Sequence, residues 1–198
     1  MKSGERRDAI IGAAVRLFSE KGFRGATTRE LAAALEVTEP VIYQHFETKR
    51  DLYRAIIETK ACERRQDNDY WKEVENPRGD LDFFGAVARL LLQRVERDPS
   101  YLRLLLFSAL EGHELAELFF ERDATEFYDR VSSYIRKRID DGAFRSDIDP
   151  AAAARALVGM AVHHATVQTL FRDTVVALGH EEYATQMVNI FLAGVERR

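Results

Sequence analysis

The fold of this 198-residue chain is indicated by the stretch TEPVIYQHF, residues 38–46, and by TKRDL, residues 48–52. Thr38 is a typical helix N-cap, and Pro40 is tolerated in the first turn because the amides there have no helical partner to lose. Ile42 and Phe46 are four positions apart, so they share one face of a helix. The stretch predicts a short helix over residues 39–45, with its apolar side turned toward a core.

A second short helix is predicted just before it. Thr27 and Glu30 have the spacing of a capping box, in which each side chain bonds the backbone N–H of the other residue. Leu31 and Leu35 give the helix over residues 28–35 an apolar face. Two short helices joined by a turn form a helix-turn-helix, whose second helix lies in the major groove of DNA.

The outer side of the second helix supplies candidate DNA contacts. Tyr43 and His45 have polar tips that can reach phosphates, although a half-buried aromatic and a packing histidine are the alternative interpretations. Lys49 lies in the first turn of the next helix, where a cation opposes the helix dipole, and this indicates a nearby anion such as a phosphate. The outward-facing set is Thr38, Glu39, Pro40, Val41, Tyr43 and Gln44.

The rest of the chain has helical periodicity. Gly22 is expected to end a first helix over residues 5–21, Gly142 to end another, and Asp149 to cap a third. We predict an all-α fold of about nine helices, because no strand pattern or repeat occurs. Beyond the helix-turn-helix pair, helices are expected over about 50–68, 81–97, 101–110, 115–141, 150–171 and 181–195, with residues 101–110 buried.

These motifs together resemble the DNA-binding domain of TetR-family transcriptional regulators. The similarity lies in ATTRELA (26–32), VT (37–38), VIYQHF (41–46), TK (48–49) and Leu52, and it covers about residues 6–57. It implies an all-helical homodimer, in which three N-terminal helices bind a palindromic operator and a fourth links them to a divergent ligand-sensing domain.

The resemblance also implies DNA contacts, largely to the backbone. They would come from Thr27, Thr28, Arg29, Thr38, Tyr43, His45 and Lys49. Pro40 and Val41 stand where a small residue and a threonine are frequent, so a base contact from them would be apolar, for example to a thymine methyl.

The resemblance divides the chain into a helix-turn-helix domain, residues 1–50, and a ligand-binding and dimerisation domain, residues 51–198, which includes the linking helix. We expect a repressor that binds a palindromic double-stranded operator as a dimer and is released by a small, largely apolar effector. An activator, or a regulator that responds to a protein partner, are alternatives. An enzyme on a helical bundle is a weaker alternative, because no GxSxG, HExxH, phosphate-loop or dinucleotide motif occurs.

The last two long helices indicate dimerisation. Small residues between Ala151 and Ala165 permit close helix packing, so the two helices could form half of a four-helix bundle across a twofold axis. A core within one chain is the alternative. The candidate interface residues are Ala153, Leu157, Met160, His164, Val167, Phe171, Met187, Ile190, Phe191 and Val195.

Aromatic and weakly polar residues on the middle helices are candidates for an effector pocket. Together they favour an apolar or aromatic ligand with one or two hydrogen bonds, although each alone could be a core residue. The set is Phe84, Leu91, Phe107, His113, Phe119, Phe127, Tyr128, His163 and Gln168.

Composition limits the remaining classes. The net charge is −4, and residues 1–60 carry 11 Lys/Arg against 9 Asp/Glu. A single Cys62, no apolar run long enough for a membrane span and no signal sequence predict a cytoplasmic protein without a membrane partner. His163 and His164 point about 100° apart on a helix, so we expect neither a metal nor another cofactor.

Overall fold

The computed structural model describes residues 3–66, 74, 77–112, 124–171 and 178–197. Within these residues the chain forms nine α-helices and no β-strand, which confirms the predicted all-α fold. A π-helical turn, Val167–Phe171, follows the eighth helix, and an isolated antiparallel bridge joins Phe144 to Glu196. The helices are α1 Ser3–Gly25, α2 Thr28–Ala34, α3 Glu39–Tyr43, α4 Lys49–Gln66, α5 Asp80–Arg97, α6 Ser100–Glu111, α7 Thr125–Asp140, α8 Pro150–Thr166 and α9 His180–Val195.

These helices form two compact units. The first contains α1 to α4 together with α6, and the second contains α5 and α7 to α9. Among the helices just given, none is both long and apolar enough to span a bilayer.

The first unit is built on one apolar core to which all five helices contribute. The Tyr53 hydroxyl on α4 donates a hydrogen bond of 3.3 Å to the Leu104 carbonyl on α6. Burial of this phenol raises the pKa of Tyr53 to about 12. The most deeply buried members include Ile10, Phe18, Leu31, Ile42, Leu52, Tyr53 and Leu104.

A glycine interrupts α1 at the predicted place. Gly22 has φ 73° and ψ 178°, so the helical backbone breaks there although a further turn follows up to Gly25. A Cβ at Gly22 would lie 2.6 Å from a Glu111 carboxylate oxygen and 2.9 Å from a Phe107 ring carbon. Both the positive φ and the close neighbours therefore require glycine.

The two short helices differ in how they are capped. The capping box of α2 is present: the Thr27 hydroxyl accepts from the Glu30 N–H at 3.2 Å, and the Glu30 carboxylate accepts from the Thr27 N–H at 3.0 Å. Thr38 has the extended N-cap backbone before α3, but its side chain makes no capping hydrogen bond. Helix α3 ends at Tyr43 instead of residue 45, because the His45 N–H bonds the Ile42 carbonyl, three residues earlier, in a tighter turn.

The second unit has its own aromatic core. Phe84 on α5 is fully buried, and its ring centroid lies 5.6 Å from that of Tyr134, 6.1 Å from Phe144 and 4.9 Å from Phe191. As predicted, Gly142 with φ 76° follows α7, and the Asp149 carboxylate caps α8 by accepting from the Ala152 N–H at 2.7 Å.

Two of the helix predictions need correction, and part of a third lies outside the described residues. The helix expected over 150–171 is α-helical only to Thr166 and continues as the π-helical turn. The stretch expected to be buried as α6 has Leu104 and Ser108 inside, whereas Leu110 is 84% exposed, because only one side of α6 packs on the core. The first half of the helix expected over 115–141 lies mostly outside the described residues, and α7 begins at Thr125.

Candidate nucleic-acid interface

Helix α3 has an inner, apolar side and an outer, exposed side. Ile42 is 1% and Phe46 5% exposed in the core of the first unit, whereas Tyr43 is 45% exposed. Tyr43 thus lies on the side of the helix that faces away from the core. Thr38, Pro40, Tyr43 and Gln44 are exposed, and Val41 and His45 are half-buried.

Glu39, predicted to face DNA, is hydrogen bonded to α2. Its carboxylate accepts a hydrogen bond of 2.8 Å from the Thr28 hydroxyl and one of 3.4 Å from Nε of Arg29. The Tyr43 hydroxyl lies 3.2 Å from the same Thr28 oxygen. The Arg29 side chain is 89% exposed, so it stays accessible to a phosphate or base edge. Glu39 therefore orients the two helices, an interaction that the sequence pattern did not predict.

Thr27 forms hydrogen bonds with Glu30 in the capping box of α2. Its hydroxyl donates to the Glu30 carboxylate at 2.9 Å, and Lys21 bonds the other carboxylate oxygen at 2.6 Å. The Lys21 and Thr27 hydrogen bonds lower the pKa of Glu30 from 4.5 to about 2. The start of α2 is thereby joined to Lys21 of α1.

The Lys49 side chain packs against Phe18 and Phe23 of α1. Its ammonium group donates to the Phe23 carbonyl and lies 4.5 Å from the Phe23 ring centroid and 5.7 Å from that of Phe18. Burial lowers the pKa of Lys49, opposed mainly by the negative charge of Glu111. Among the described residues, Glu111 is the carboxylate whose charge most favours the Lys49 cation.

Glu111 and Arg7 lie outside the predicted contact set, and their contacts were not predicted. Glu111 accepts backbone hydrogen bonds from Phe23 and Arg24, each of 3.0 Å, across a separation that no local pattern reveals. Arg7 lies with its guanidinium carbon 5.0 Å from the Phe46 ring centroid. Its place in a basic N-terminal segment is the only sequence signal that could have indicated it.

The candidate pocket residues do not form one group. Phe107 lies on α6 in the first unit, beside Gly22, whereas the other described candidates lie in the second unit. Phe84 is a core residue, and His163 is exposed on α8, so neither fits the predicted role directly. His113 and Phe119 lie outside the described residues. The remaining candidates, Leu91, Phe127, Tyr128 and Gln168, are half-buried.

Most of the candidate interface residues form the core of a single chain. The His164 ring stacks on that of Tyr183 with a centroid distance of 3.7 Å, which makes it an internal packing residue. Only Phe171 and Ile190, 73% and 66% exposed, present large apolar area to the outside, while Met160 and Val167 are half-buried. The buried six are Ala153, Leu157, His164, Met187, Phe191 and Val195. Their burial corrects the prediction, because α8 and α9 turn these side chains toward their own unit.

No group of three or more metal-ligating side chains occurs within the described part of the chain.

Two family models match this sequence. The model described as bacterial regulatory proteins, tetR family, matches residues 10–56, which contain α2 and α3. The model described as AefR-like transcriptional repressor, C-terminal domain, matches residues 86–194, more than half of the chain.

Individual relatives agree with these models. The nucleoid occlusion factor SlmA of Marinobacter nauticus is 29% identical over 150 residues, which cover 75% of this chain and 74% of that protein. The HTH-type transcriptional repressor KstR2 of Rhodococcus jostii is 28% identical over 160 residues, which cover 79% and 76%. The structure of AibR in complex with isovaleryl coenzyme A and operator DNA shares the fold, with a TM-score of 0.71, 22% identity and coverage of 93% and 97%. The chain belongs to the TetR family of bacterial regulatory proteins, which are DNA-binding transcription factors and not enzymes.

Proposed function

We propose that this protein is a ligand-responsive repressor that binds a palindromic operator as a homodimer and is released by a small, largely apolar effector. The observation that carries this proposal is the two-sided character of α3. Ile42 and Phe46 anchor it in the core, while Thr38, Pro40, Tyr43 and Gln44 are exposed. A short rigid helix presented in this way fits the major groove of DNA.

The outward side chains divide into two kinds of contact. Arg29, Tyr43 and His45 can bond phosphates, which fixes the position of the module without reading sequence. Gln44 can bond the edge of an adenine, and Pro40 and Val41 can contact thymine methyl groups. We therefore propose that sequence preference comes from Pro40, Val41 and Gln44. Thr27, Thr28, Thr38 and Lys49 are further proposed contacts to the DNA backbone, and Glu39 orients Arg29.

A dimer is supported by the exposed apolar side chains of the second unit. Phe171 and Ile190 are accompanied by Leu170 and Val162, which are 41% and 40% exposed. Exposed small residues on α8, such as Ala156 and Gly159, allow a partner helix to approach closely. Two copies related by a twofold axis would place two recognition helices on successive major grooves, about 34 Å apart.

The effector class is proposed from the relatives. AibR has been crystallised with isovaleryl coenzyme A, a short branched acyl group on a polar carrier. We propose an effector with an apolar acyl or similar moiety bound in the second unit, where Leu91, Phe127, Tyr128 and Gln168 are half-buried candidates for lining it. A ligand of this kind can shift DNA binding only by its different affinity for the two states, typically by about 1–3 kcal/mol.

DNA binding is tested by selecting duplexes from fragments of the host genome with the purified protein. The proposal predicts enrichment of a palindrome and an affinity that falls steeply as salt rises. Tyr43→Phe should weaken all duplexes alike, whereas Gln44→Ala should also change which bases are preferred. Enrichment of no sequence, or binding that is independent of salt, would contradict the proposal.

The effector is tested with isovaleryl coenzyme A as the first compound. A true effector should raise the melting temperature of the free protein and weaken its binding to the selected duplex. Free coenzyme A is the matched control, because it lacks the acyl group. A compound that raises the melting temperature and leaves DNA affinity unchanged is not an effector.

A further inference from the structure

The carboxylate of Glu111 occupies the break in α1. Its two oxygens accept hydrogen bonds from the backbone N–H groups of Phe23 and Arg24, both of 3.0 Å. The Glu111 carbonyl also accepts a bond of 3.4 Å from Nη2 of Arg24. These contacts join the last residue of α6 to the turn that leads into the helix-turn-helix.

Side chains of α6 take the place of backbone partners that the break removes. In a continuous helix the N–H of Phe23 would bond the carbonyl of Ser19, four residues earlier. Here Glu111 accepts from Phe23, while Nε of Arg103 donates to the Ser19 carbonyl at 2.9 Å. One residue of α6 thus supplies the missing acceptor and another supplies the missing donor.

The position of Glu111 is not explained by its own helix. A carboxylate at the C-terminal end of a helix is disfavoured by the helix dipole. The N–H donors of the α1 turn and the nearby ammonium of Lys49 compensate for this, because all of them favour a negative charge. The charge of Glu111 is therefore stabilised by groups of α1 and α4.

Both ends of the helix-turn-helix pair meet at Phe23, which bonds Glu111 through its N–H and Lys49 through its carbonyl. The turn at Phe23 and Arg24 precedes α2, and Lys49 begins the helix that follows α3. Lys49 donates to the same Phe23 whose N–H bonds Glu111. Fixing these two points limits how α2 and α3 can tilt together on the core.

We propose, on the basis of the DNA-binding function above, that Glu111 is a positioning residue for DNA binding. Its carboxylate fixes the turn before α2 and, through Phe23, the start of α4, and so holds α3 at the angle that the major groove requires. Helix α6 lies within residues 86–194, which match the C-terminal repressor model. Under this proposal, the affinity for DNA depends on the position of the C-terminal end of α6.

The test is the affinity of Glu111→Gln for a duplex selected by the wild-type protein from a randomised library. The variant loses a negative charge, so simple electrostatics predicts tighter binding to DNA. The proposal predicts the opposite, an affinity about tenfold weaker, because the amide offers a donor to one of two N–H groups that need an acceptor. Unchanged or tighter binding by the folded variant would overturn it. The charge-matched control is Glu58→Gln on the exposed side of α4, which should not weaken binding.

Two further measurements separate positioning from a general structural role. Glu111→Asp keeps the charge and shortens the reach, so it should also bind DNA more weakly; wild-type affinity for this variant would overturn the proposal. Lys49→Met combined with Glu111→Gln should give a non-additive loss of DNA affinity, because the two side chains hold the same turn. A purely stabilising role would lower the melting temperature and leave the affinity of the folded protein unchanged.

DNA affinities are measured well below the melting temperature of each variant. If Glu111→Gln does not fold, Glu111→Asp replaces it: weaker binding supports the proposal and wild-type affinity overturns it. If the wild-type protein selects no duplex at all, the proposed function fails, and this result is distinct from a wild-type-like Glu111 variant.

Discussion

The guanidinium of Arg138 on α7 bonds both carboxylate oxygens of Asp80, the first residue of α5, with Nε–Oδ1 and Nη2–Oδ2 distances of 2.8 and 3.0 Å. The Tyr134 hydroxyl donates a third hydrogen bond of 2.9 Å to Oδ1. Burial and this bond to Asp80 raise the pKa of Tyr134, which remains a donor throughout the neutral range. One carboxylate therefore ties α5 to α7 in the second unit.

Asp80→Asn should destabilise the protein by about 2 kcal/mol, because it removes the charge that accepts two hydrogen bonds from Arg138 and leaves that partly buried guanidinium with only its 3.3 Å contact to Asp141 among the described carboxylates. The Arg138 and Asp80 side chains are only 29% and 18% exposed, so solvent screens this pair weakly. Asp82→Asn, in the same first turn but exposed, is the control and should have little effect. The free energy of unfolding in urea measures both. Equal values for the two variants would contradict the assignment.

Glu36→Gly should stabilise the protein by about 0.5 kcal/mol. Glycine removes the strain of the left-handed backbone conformation, and the larger conformational entropy of glycine in the unfolded chain cancels only part of this gain. Glu36 follows α2 with φ 55°, and the Val37 N–H bonds the Ala32 carbonyl at 3.0 Å in the usual helix-ending pattern. Thermal unfolding measures the change. Glu58→Gly within α4 is the contrasting variant, and it should lose about 1 kcal/mol.

The capping box of α2 should weaken in acid. Because the pKa of Glu30 is lowered from 4.5 to about 2 in the folded state, its contribution is complete above pH 4.5 and is lost as the pH falls toward 2. The difference in unfolding free energy between wild type and Glu30→Gln should therefore be larger at about pH 6 than at about pH 3. Lys21→Met should reduce this pH dependence, because Lys21 makes the largest contribution to the lowered pKa. A difference that does not vary with pH would show that the carboxylate charge is unimportant.

Ile190→Asp should convert the proposed dimer into a folded monomer, because it places a charge on a 66% exposed apolar position of α9. Sedimentation velocity measures the oligomeric state, and circular dichroism shows whether the helices persist. Leu81→Asp is the control, since Leu81 is 57% exposed in the same unit but lies at the start of α5. A variant at Ile190 that stays dimeric would place the interface elsewhere.

Local patterns predicted the first unit well. The Thr27–Glu30 capping box, the break at Gly22 and the burial of Ile42 and Phe46 are all set by residues within a few positions of one another. The position of Lys49 could not be predicted in this way. Its carbonyl partner Phe23 and the charge of Glu111 are distant in sequence, so only the packing of α1 and α6 brings them to Lys49.

The second unit shows the limit of helical periodicity. The pattern predicted that α8 and α9 have apolar sides. It did not distinguish a side that packs within the chain from one that contacts a partner. Leu157 and Met187 are inside, whereas Phe171 and Ile190 are outside, although all four have similar hydrophobicity. The candidate pocket residues have the same ambiguity, because an aromatic side chain suits a core and a cavity equally.

The break in α1 has an evolutionary consequence. A side chain at position 22 would displace the carboxylate that the break requires, and without that carboxylate the break loses its hydrogen-bond acceptor. Gly22 and Glu111 therefore depend on each other. Among relatives, Gly22 and an acidic residue at position 111 should therefore be inherited as a pair, and lineages with a continuous first helix should have lost both.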